Sequence, residues 1–304
     1  MVVRLRLVIT GAGGLLGSAL LTKTKEEEVY SFYNQHMPTL GIPVRASLED
    51  ASQLARTLQK IKPEAIVHAA ALTDVDRCEK ERDLANAVNY EATKVIARYA
   101  KDQRAFLIYV STDYVFDGMK GMYHEQDKPA PVNFYGHTKL RGEQAIEELL
   151  SEYLIARTSV IYGSTPSSGK VNFALWVLNA LKERKPISVT CDQFVSPTLN
   201  TNLANMIMEC LERRLTGTLH LAGATRISRL DFASELSRVW SLDSSLISPV
   251  EMSKMNWYAR RPRDSSLDVT KAQGVLKNTP DTIGQSLHSL RNELDAEIKD
   301  GGLQ

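Results

Sequence analysis

Cysteine is scarce. Cys78, Cys191 and Cys210 are scattered through 304 residues and form no CxxC pair. That spacing excludes a zinc ribbon and a disulfide framework, and a reducing compartment is the expected setting. Long apolar runs are missing as well. Ala65–Leu72, broken by His68, falls far short of the ~18–20 residues a membrane helix needs. No charge of one sign dominates: 37 Lys+Arg face 36 Asp+Glu, for a net charge of +1. A dedicated nucleic-acid surface would carry a basic excess. Disorder would combine high net charge with little apolar content, whereas 43% of the residues are apolar. There is no internal repeat and no low-complexity tract. No His/Asp/Glu cluster has metal-ligand spacing, so no metal is expected. Trp176, Trp240 and Trp257 are widely separated and are read as packing residues. Met1-Val-Val-Arg-Leu-Arg6 runs directly into strand-like sequence with no sign of a signal peptide. The expectation is a cytoplasmic protein that binds neither membrane nor nucleic acid.

What is present is alternation. Arg4–Thr10 reads as a strand, Gly11-Ala-Gly-Gly14 as a turn and Leu15–Leu21 as a helix. Strands follow at Glu28–Tyr33, Ile42–Arg45, Ala65–Ala70, Phe106–Ser111 and Tyr153–Arg157, with helices at Ser52–Lys60, Asp83–Lys101 and Asn133–Leu150. Such alternation implies βαβ units in a parallel sheet. The unbroken apolar character of Ala65–Ala70 and Phe106–Val110 fits strands covered on both faces. After about Gly163 the pattern loosens. A loop at Ser164–Gly169 precedes helices at Phe173–Glu183, Thr201–Arg213, Ser228–Trp240 and Thr282–Lys299, with short strands near Ile187–Val189 and Thr218–Leu221. Ser228-x-x-Asp231 is a helix-capping pattern. The length suits about two domains. The predicted class is α/β: a doubly wound Rossmann sheet over 1–163, then a smaller, mostly helical cap over 164–304. Some segments of the second half are expected to return to the sheet.

Three motifs carry chemistry. Gly11-Ala-Gly-Gly14-Leu-Leu-Gly17 lies between a strand and a helix, where glycines let backbone approach a pyrophosphate. The strand that follows ends Tyr30-Ser-Phe-Tyr-Asn34 without the acidic residue that binds a ribose 2′-OH in NAD enzymes. A 2′-phosphate is therefore permitted, although no arginine is evident to clamp it. Tyr135-Gly-His-Thr-Lys139 is a YxxxK at a helix start. The spacing puts both side chains on one face, and an ammonium there would lower the Tyr pKa and suit it to general acid catalysis. Ser111-Thr-Asp-Tyr-Val-Phe-Asp117 follows a buried strand, at the end where open α/β sheets bind ligands. Taken singly, each has a plain alternative: a structural turn, a helix-start Tyr with a solvated Lys, a capped loop. His68 reads as a hydrogen-bonded core histidine.

Together, in this order, the motifs resemble the extended short-chain dehydrogenase/reductases, and within them the dTDP-4-dehydrorhamnose reductase group. The likeness extends to His68-Ala-Ala-Ala-Leu-Thr-Asp-Val-Asp76, Ala87-Val-Asn89, Arg157-Thr-Ser-Val-Ile-Tyr-Gly163, Asp192-Gln-Phe-Val-Ser-Pro-Thr198 and Arg261-Pro-Arg-Asp-Ser-Ser-Leu-Asp268. The resemblance implies NADPH as cofactor, with NADH allowed, and reduction of the 4-keto group of a dTDP-4-keto-6-deoxy sugar. It places Gly11, Gly14, Leu15, Leu16 and Gly17 at the pyrophosphate, Asn34 at the adenosine ribose, and Ser47 and Leu48 beside the adenine. Ala69, Ala70, Ala71, Thr73 and Asn89 would line the cofactor trough. Thr112, Tyr135 and Lys139 would form the catalytic trio, with Lys139 also on the nicotinamide ribose. Asp113, Tyr114, Val160, Asp192, Gln193 and Arg261 would hold the nucleotide-sugar. Val160 stands where similar reductases carry a Trp against the sugar. A related branch, the regulatory β subunit of methionine adenosyltransferase, also lacks that Trp and keeps the Tyr/Lys pair. A non-catalytic NADP-binding subunit and a reductase or epimerase of another nucleotide-sugar therefore stay open. A homodimer is the base-rate expectation.

Overall fold

The computed structural model describes residues 5–25, 27–165 and 171–301. Arg4, the last four residues of the loop expected at Ser164–Gly169, and the 1–4 start lie outside them. The first half runs β1 (Arg6–Thr10), α1 (Leu15–Leu21), β2 (Glu28–Tyr33), β3 (Ile42–Arg45), α2 (Ala51–Ile61), β4 (Ala65–His68), α3 (Val75–Lys80) and α4 (Arg82–Asn86). It continues with α5 (Ala92–Gln103), β5 (Phe106–Thr112), α6 (Phe134–Leu149), β6 (Tyr153–Thr158) and β7 (Ile161–Tyr162). The second half holds α7 (Phe173–Lys182), β8 (Ile187–Thr190), β9 (Phe194–Val195), β10 (Thr198–Leu199), α8 (Asn200–Glu212) and β11 (Gly217–His220). Then come β12 (Ile227–Ser228), α9 (Arg229–Val239), β13 (Ile247–Val250), α10 (Thr270–Val275) and α11 (Ile283–Gly301).

Among the described residues, seven strands form one sheet in the order β11-β6-β5-β4-β1-β2-β3. Every neighbouring pair in it is parallel. This is the doubly wound α/β arrangement that the alternation predicts. Its two faces sort by residue parity. Leu7, Ile9, Ala65, Val67, Ile108 and Ala156 pack with α1 and α8 on one side. Val8, Ile66, Leu107, Tyr109 and Ile155 pack with α2 and α5 on the other. Burial on both faces explains why these strands read as continuous apolar runs. The second half returns β11, α8 and α10 to this sheet, while α7, α9 and α11 close a separate core around Tyr162 and Phe232.

One helix departs from expectation. The stretch predicted as continuous over Asp83–Lys101 is broken by a π turn at Ala87–Glu91. Asn89, inside that turn, is 1% exposed. Its amide receives the Leu72 N–H at 2.8 Å and donates to the Leu72 carbonyl at 3.1 Å and the Thr138 hydroxyl at 3.1 Å. The wider turn brings the amide to the loop after β4, and such turns recur at functional sites. Among the described residues, no helix is long and apolar enough to cross a membrane.

Glu209 ties α8 to the segment after α10. Burial alone would raise its pKa. The N–H groups of Asn278 and Lys277, at 2.7 and 2.8 Å, together with Arg213 and the Asn278 amide, outweigh that and hold it at about 2. A depressed carboxylate stabilises the fold above its unfolded pKa of ~4.3 and loses that contribution as pH falls towards 2. Glu209→Gln is expected to lower the unfolding free energy at pH 7 by about 1–3 kcal/mol and to flatten the decline below pH ~4.3. Denaturant unfolding across that pH range measures both. Coincident curves for variant and parent would refute the assignment.

Candidate active site

Strand order reverses between β1 and β4, and the crevice outside the carboxyl ends at such a point is where α/β sheets take ligands. A cleft of about 750 Å³ opens there. Thr10 and Gly11 at the end of β1, Ala69 to Thr73 beyond β4, Val110 to Thr112 at the end of β5, and Thr158 and Val160 at the end of β6 all line it. The glycine turn forms one wall. Gly11 sits at φ +70°, which disfavours a side chain, and a Cβ on Gly17 would fall 2.1 Å from the Gly11 carbonyl oxygen. Gly14 caps α1, and no side chain supplies the capping hydrogen bond. Gly14, Leu15, Leu16, Gly17, Asn34 and Leu48 also line the cleft. The tip of β2 continues into Asn34, Gln35 and His36, with no carboxylate among them.

Thr112, Tyr114, Tyr135 and Lys139 stand on the facing wall. Asn133 starts α6 by accepting the Gly136 N–H at 2.9 Å. Tyr135 and Lys139 thereby occupy successive turns of one helix, beside the end of β5. The Tyr135 phenol shares a hydrogen bond with the Thr112 hydroxyl, and its ring meets Tyr114 edge-on at 5.9 Å. Burial holds Tyr135 above the ordinary tyrosine pKa and outweighs the opposing Thr112 bond. This corrects the lowering expected from YxxxK. The cause is geometric: Lys139 Nζ donates to the Val110 carbonyl at 2.8 Å and sits 4.0 Å from the Tyr109 ring centroid. Lys139 is 2% exposed, and its burial brings it down to about 7 despite the nearby Glu143. In the same layer, His68 is hydrogen-bonded through both ring nitrogens, to Thr10 at 2.7 Å and Thr93 at 3.0 Å. Burial, then the Lys139 charge, push it down to about 3, so it is neutral.

Beneath the trio lies an ion pair. Arg157 on β6 and Glu143 on α6 meet at 2.7 Å, 5% and 1% exposed. Glu143 also accepts from the Ser111 hydroxyl at 2.5 Å.

Six residues named from the resemblance lie off the cleft wall. Asn89 is spent on Leu72 and Thr138, as described above. Ser47 turns its hydroxyl to the Glu49 N–H at 3.2 Å, leaving Ala46, Leu48 and Glu49 on the wall. Asp113 is 2% exposed, and it accepts from Thr112 at 3.0 Å, Ser159 at 2.8 Å and Ser265 at 2.5 Å. It is thus a structural hub, since its oxygens are saturated from within. Asp192 accepts the Met252 N–H at 2.8 Å. Gln193 is buried and hydrogen-bonded to Tyr114. Arg261 pairs with Asp76 at 2.9 Å. Val160 does line the cleft, at φ +41°, a strained conformation for a β-branched residue. Sequence reasoning missed Arg229, Asn172 and Thr158, which also line it. The Ser228-x-x-Asp231 cap was the available signal for Arg229, because it fixes where α9 begins.

The chain matches the RmlD substrate binding domain family over residues 5–295. It is 34% identical to a probable low-salt glycan biosynthesis reductase of Haloferax volcanii, over 93% of this chain and 96% of that one. To the methionine adenosyltransferase 2 subunit beta of Pongo abelii it is 30% identical, over 92% of this chain and 85% of the relative. Among solved structures, the dTDP-4-dehydrorhamnose reductase of Bacillus anthracis in complex with NADP superposes with a TM-score of 0.86. Identity there is 32%, covering 96% of this chain and all of that one.

The low Lys139 pKa has a measurable consequence. From about 7 to the unfolded value of ~10.4, the unfolded chain holds a proton that the folded chain has released. Folding stability therefore rises with pH across that window, while below it the burial penalty is fully present. Lys139→Met is expected to abolish this component and to stabilise the protein at pH 7. Urea unfolding of both proteins from pH 6 to 9 reads the difference. A parent-minus-variant curve that stays flat would contradict the assignment.

Proposed function

The chain belongs to the RmlD substrate binding domain family, and from that premise we propose an NAD(P)H-dependent oxidoreductase that reduces the 4-keto group of a dTDP-4-keto-6-deoxy sugar. Its product would be that of a dTDP-4-dehydrorhamnose reductase. The observation that carries this reading is the convergence in one cleft of a side-chain-free glycine turn with Thr112, Tyr135 and Lys139. The glycine turn fits a dinucleotide: a Cβ at Gly11 or Gly17 would clash with neighbouring backbone, so glycine lets the turn close tightly at the start of α1, where a pyrophosphate would sit. Gly11, Gly14, Leu15, Leu16 and Gly17 would hold it, with Asn34 at the ribose and Ala69, Ala70, Ala71 and Thr73 along the trough. The absence of a carboxylate at the tip of β2 favours NADPH, in keeping with the NADP bound by the Bacillus anthracis relative. We read 1–163 as the cofactor-binding domain and 164–304 mainly as the substrate cap.

When bound, NADPH supplies the hydride. Tyr135 donates its phenolic proton to the carbonyl oxygen as negative charge develops there. Its raised pKa keeps it protonated at neutral pH, the form that can donate. To donate to the same oxygen, the Thr112 hydroxyl would turn its one proton away from Asp113. Lys139 stands one turn further along α6, its Nζ held on the Val110 carbonyl and its pKa brought by burial to about 7.

The second reading, a cofactor-binding regulatory subunit, is favoured by the 30% identity to the methionine adenosyltransferase subunit and by Val160 in place of Trp. A reductase or epimerase of another nucleotide-sugar would share the trio and differ only in substrate profile. NADPH oxidation against a panel of 4-keto nucleotide-sugars separates the readings: turnover with dTDP-4-dehydrorhamnose supports the first. Stoichiometric recovery of a methionine adenosyltransferase catalytic subunit from extract, without turnover, supports the second. Tyr135→Phe is expected to cut turnover by about 10²–10⁴-fold while leaving NADP affinity unchanged. Full activity in that variant would overturn the mechanism.

A further inference from the structure

Resting on the nucleotide-sugar reading above, we infer that Arg229 grips the diphosphate of the substrate from the cap side of the cleft. Arg229 is the first residue of α9. Ser228 caps the helix by accepting the Asp231 N–H at 2.9 Å, and the Arg229 N–H donates to the Gln193 carbonyl at 3.0 Å. These bonds fix the backbone, and the side chain reaches the cleft wall. There the guanidinium lies 4.8 Å from the Phe173 ring centroid.

What distinguishes Arg229 is the missing counter-ion. Arg226 pairs with Asp264 at 2.6 Å, Arg157 with Glu143 at 2.7 Å and Arg261 with Asp76 at 2.9 Å. Among the described residues, Arg229 makes no ion pair and no side-chain hydrogen bond. Asp113 acts on it electrostatically, but three hydroxyls already occupy that carboxylate. Arg261 adds a second positive charge that opposes it. Burial, the largest effect, also works against the charged form, yet a guanidinium stays protonated in proteins. A part-buried, unpaired cation beside a second cation is a costly arrangement that an external anion relieves. The planar fork of Arg matches phosphate oxygens two at a time. Tyr114, hydrogen-bonded to Gln193, lies within electrostatic reach of Arg229 and meets the Tyr135 ring edge-on at 5.9 Å. An anion held by Arg229 would thus sit one tyrosine away from the proton donor.

Calorimetry of dTDP and of thymidine into the NADP-saturated protein tests this. Arg229→Gln is expected to weaken dTDP by about 10–100-fold, Arg229→Lys by several-fold. Thymidine binding and NADP affinity should stay unchanged, and the latter also reports that the variants fold. If Arg229→Gln binds dTDP as tightly as the parent, the inference fails and the nucleotide-sugar reading stands. A parent protein that binds NADP but neither dTDP nor UDP overturns both.

Discussion

The Glu143–Arg157 ion pair is the contact on which the site's geometry depends. It joins α6, which carries Tyr135 and Lys139, to β6, and through the Ser111 hydroxyl to the end of β5, where Thr112 begins the next turn. The three elements β5, α6 and β6, consecutive strands and helix of the chain, are thereby set in one register. With both partners nearly inaccessible, removing one would strand a buried charge at a cost of about 3–5 kcal/mol. Glu143 also lies one helical turn beyond Lys139 and partly offsets the burial that depresses it. The same pair therefore aligns the trio and keeps Lys139 close to neutrality instead of further below it.

Around that pair, the site is built from internally satisfied polar groups. Asp113 gathers three hydroxyls, His68 bridges Thr10 and Thr93, and Asn89 pins Leu72. Each holds a strand end or loop in place and leaves its neighbour to face the cleft: Thr112 beside Asp113, Ala69 beside His68, Thr73 beside Leu72. Buried polar groups cost least when fully paired. Among the described residues at the cleft, Lys139 has one carbonyl partner, while the Arg229 side chain and the buried Thr158 hydroxyl have no hydrogen-bond partner.

The alternation of strands and helices made the sheet legible, because a parallel sheet covered on both faces leaves continuous apolar runs such as Phe106–Val110. The glycine turn and YxxxK were legible because their spacing is itself the geometry. The π turn was not, since its cause is the reach of Asn89 to a loop 17 residues away. Nor was the Tyr135 pKa. A spacing of four places Lys139 on the right face of the helix, but its length lets Nζ turn towards Val110. Which residues of a matching motif face the cleft also depends on partners brought by distant segments, as Ser265 does for Asp113 and Asp76 for Arg261. Arg229 escaped notice because nothing in its local sequence separates an unpaired arginine from a salt-bridged one.

In the proposed reaction this cleft delivers a hydride to a sugar carbonyl while Tyr135 protonates the oxygen. The most direct test is incubation with NADPH deuterated at the transferable C4 position and dTDP-4-dehydrorhamnose, followed by NMR of the sugar. The expected product carries one deuterium at sugar C4, matched mole for mole by NADP formed. Cofactor binding with no deuterium on the sugar would contradict the proposed reaction.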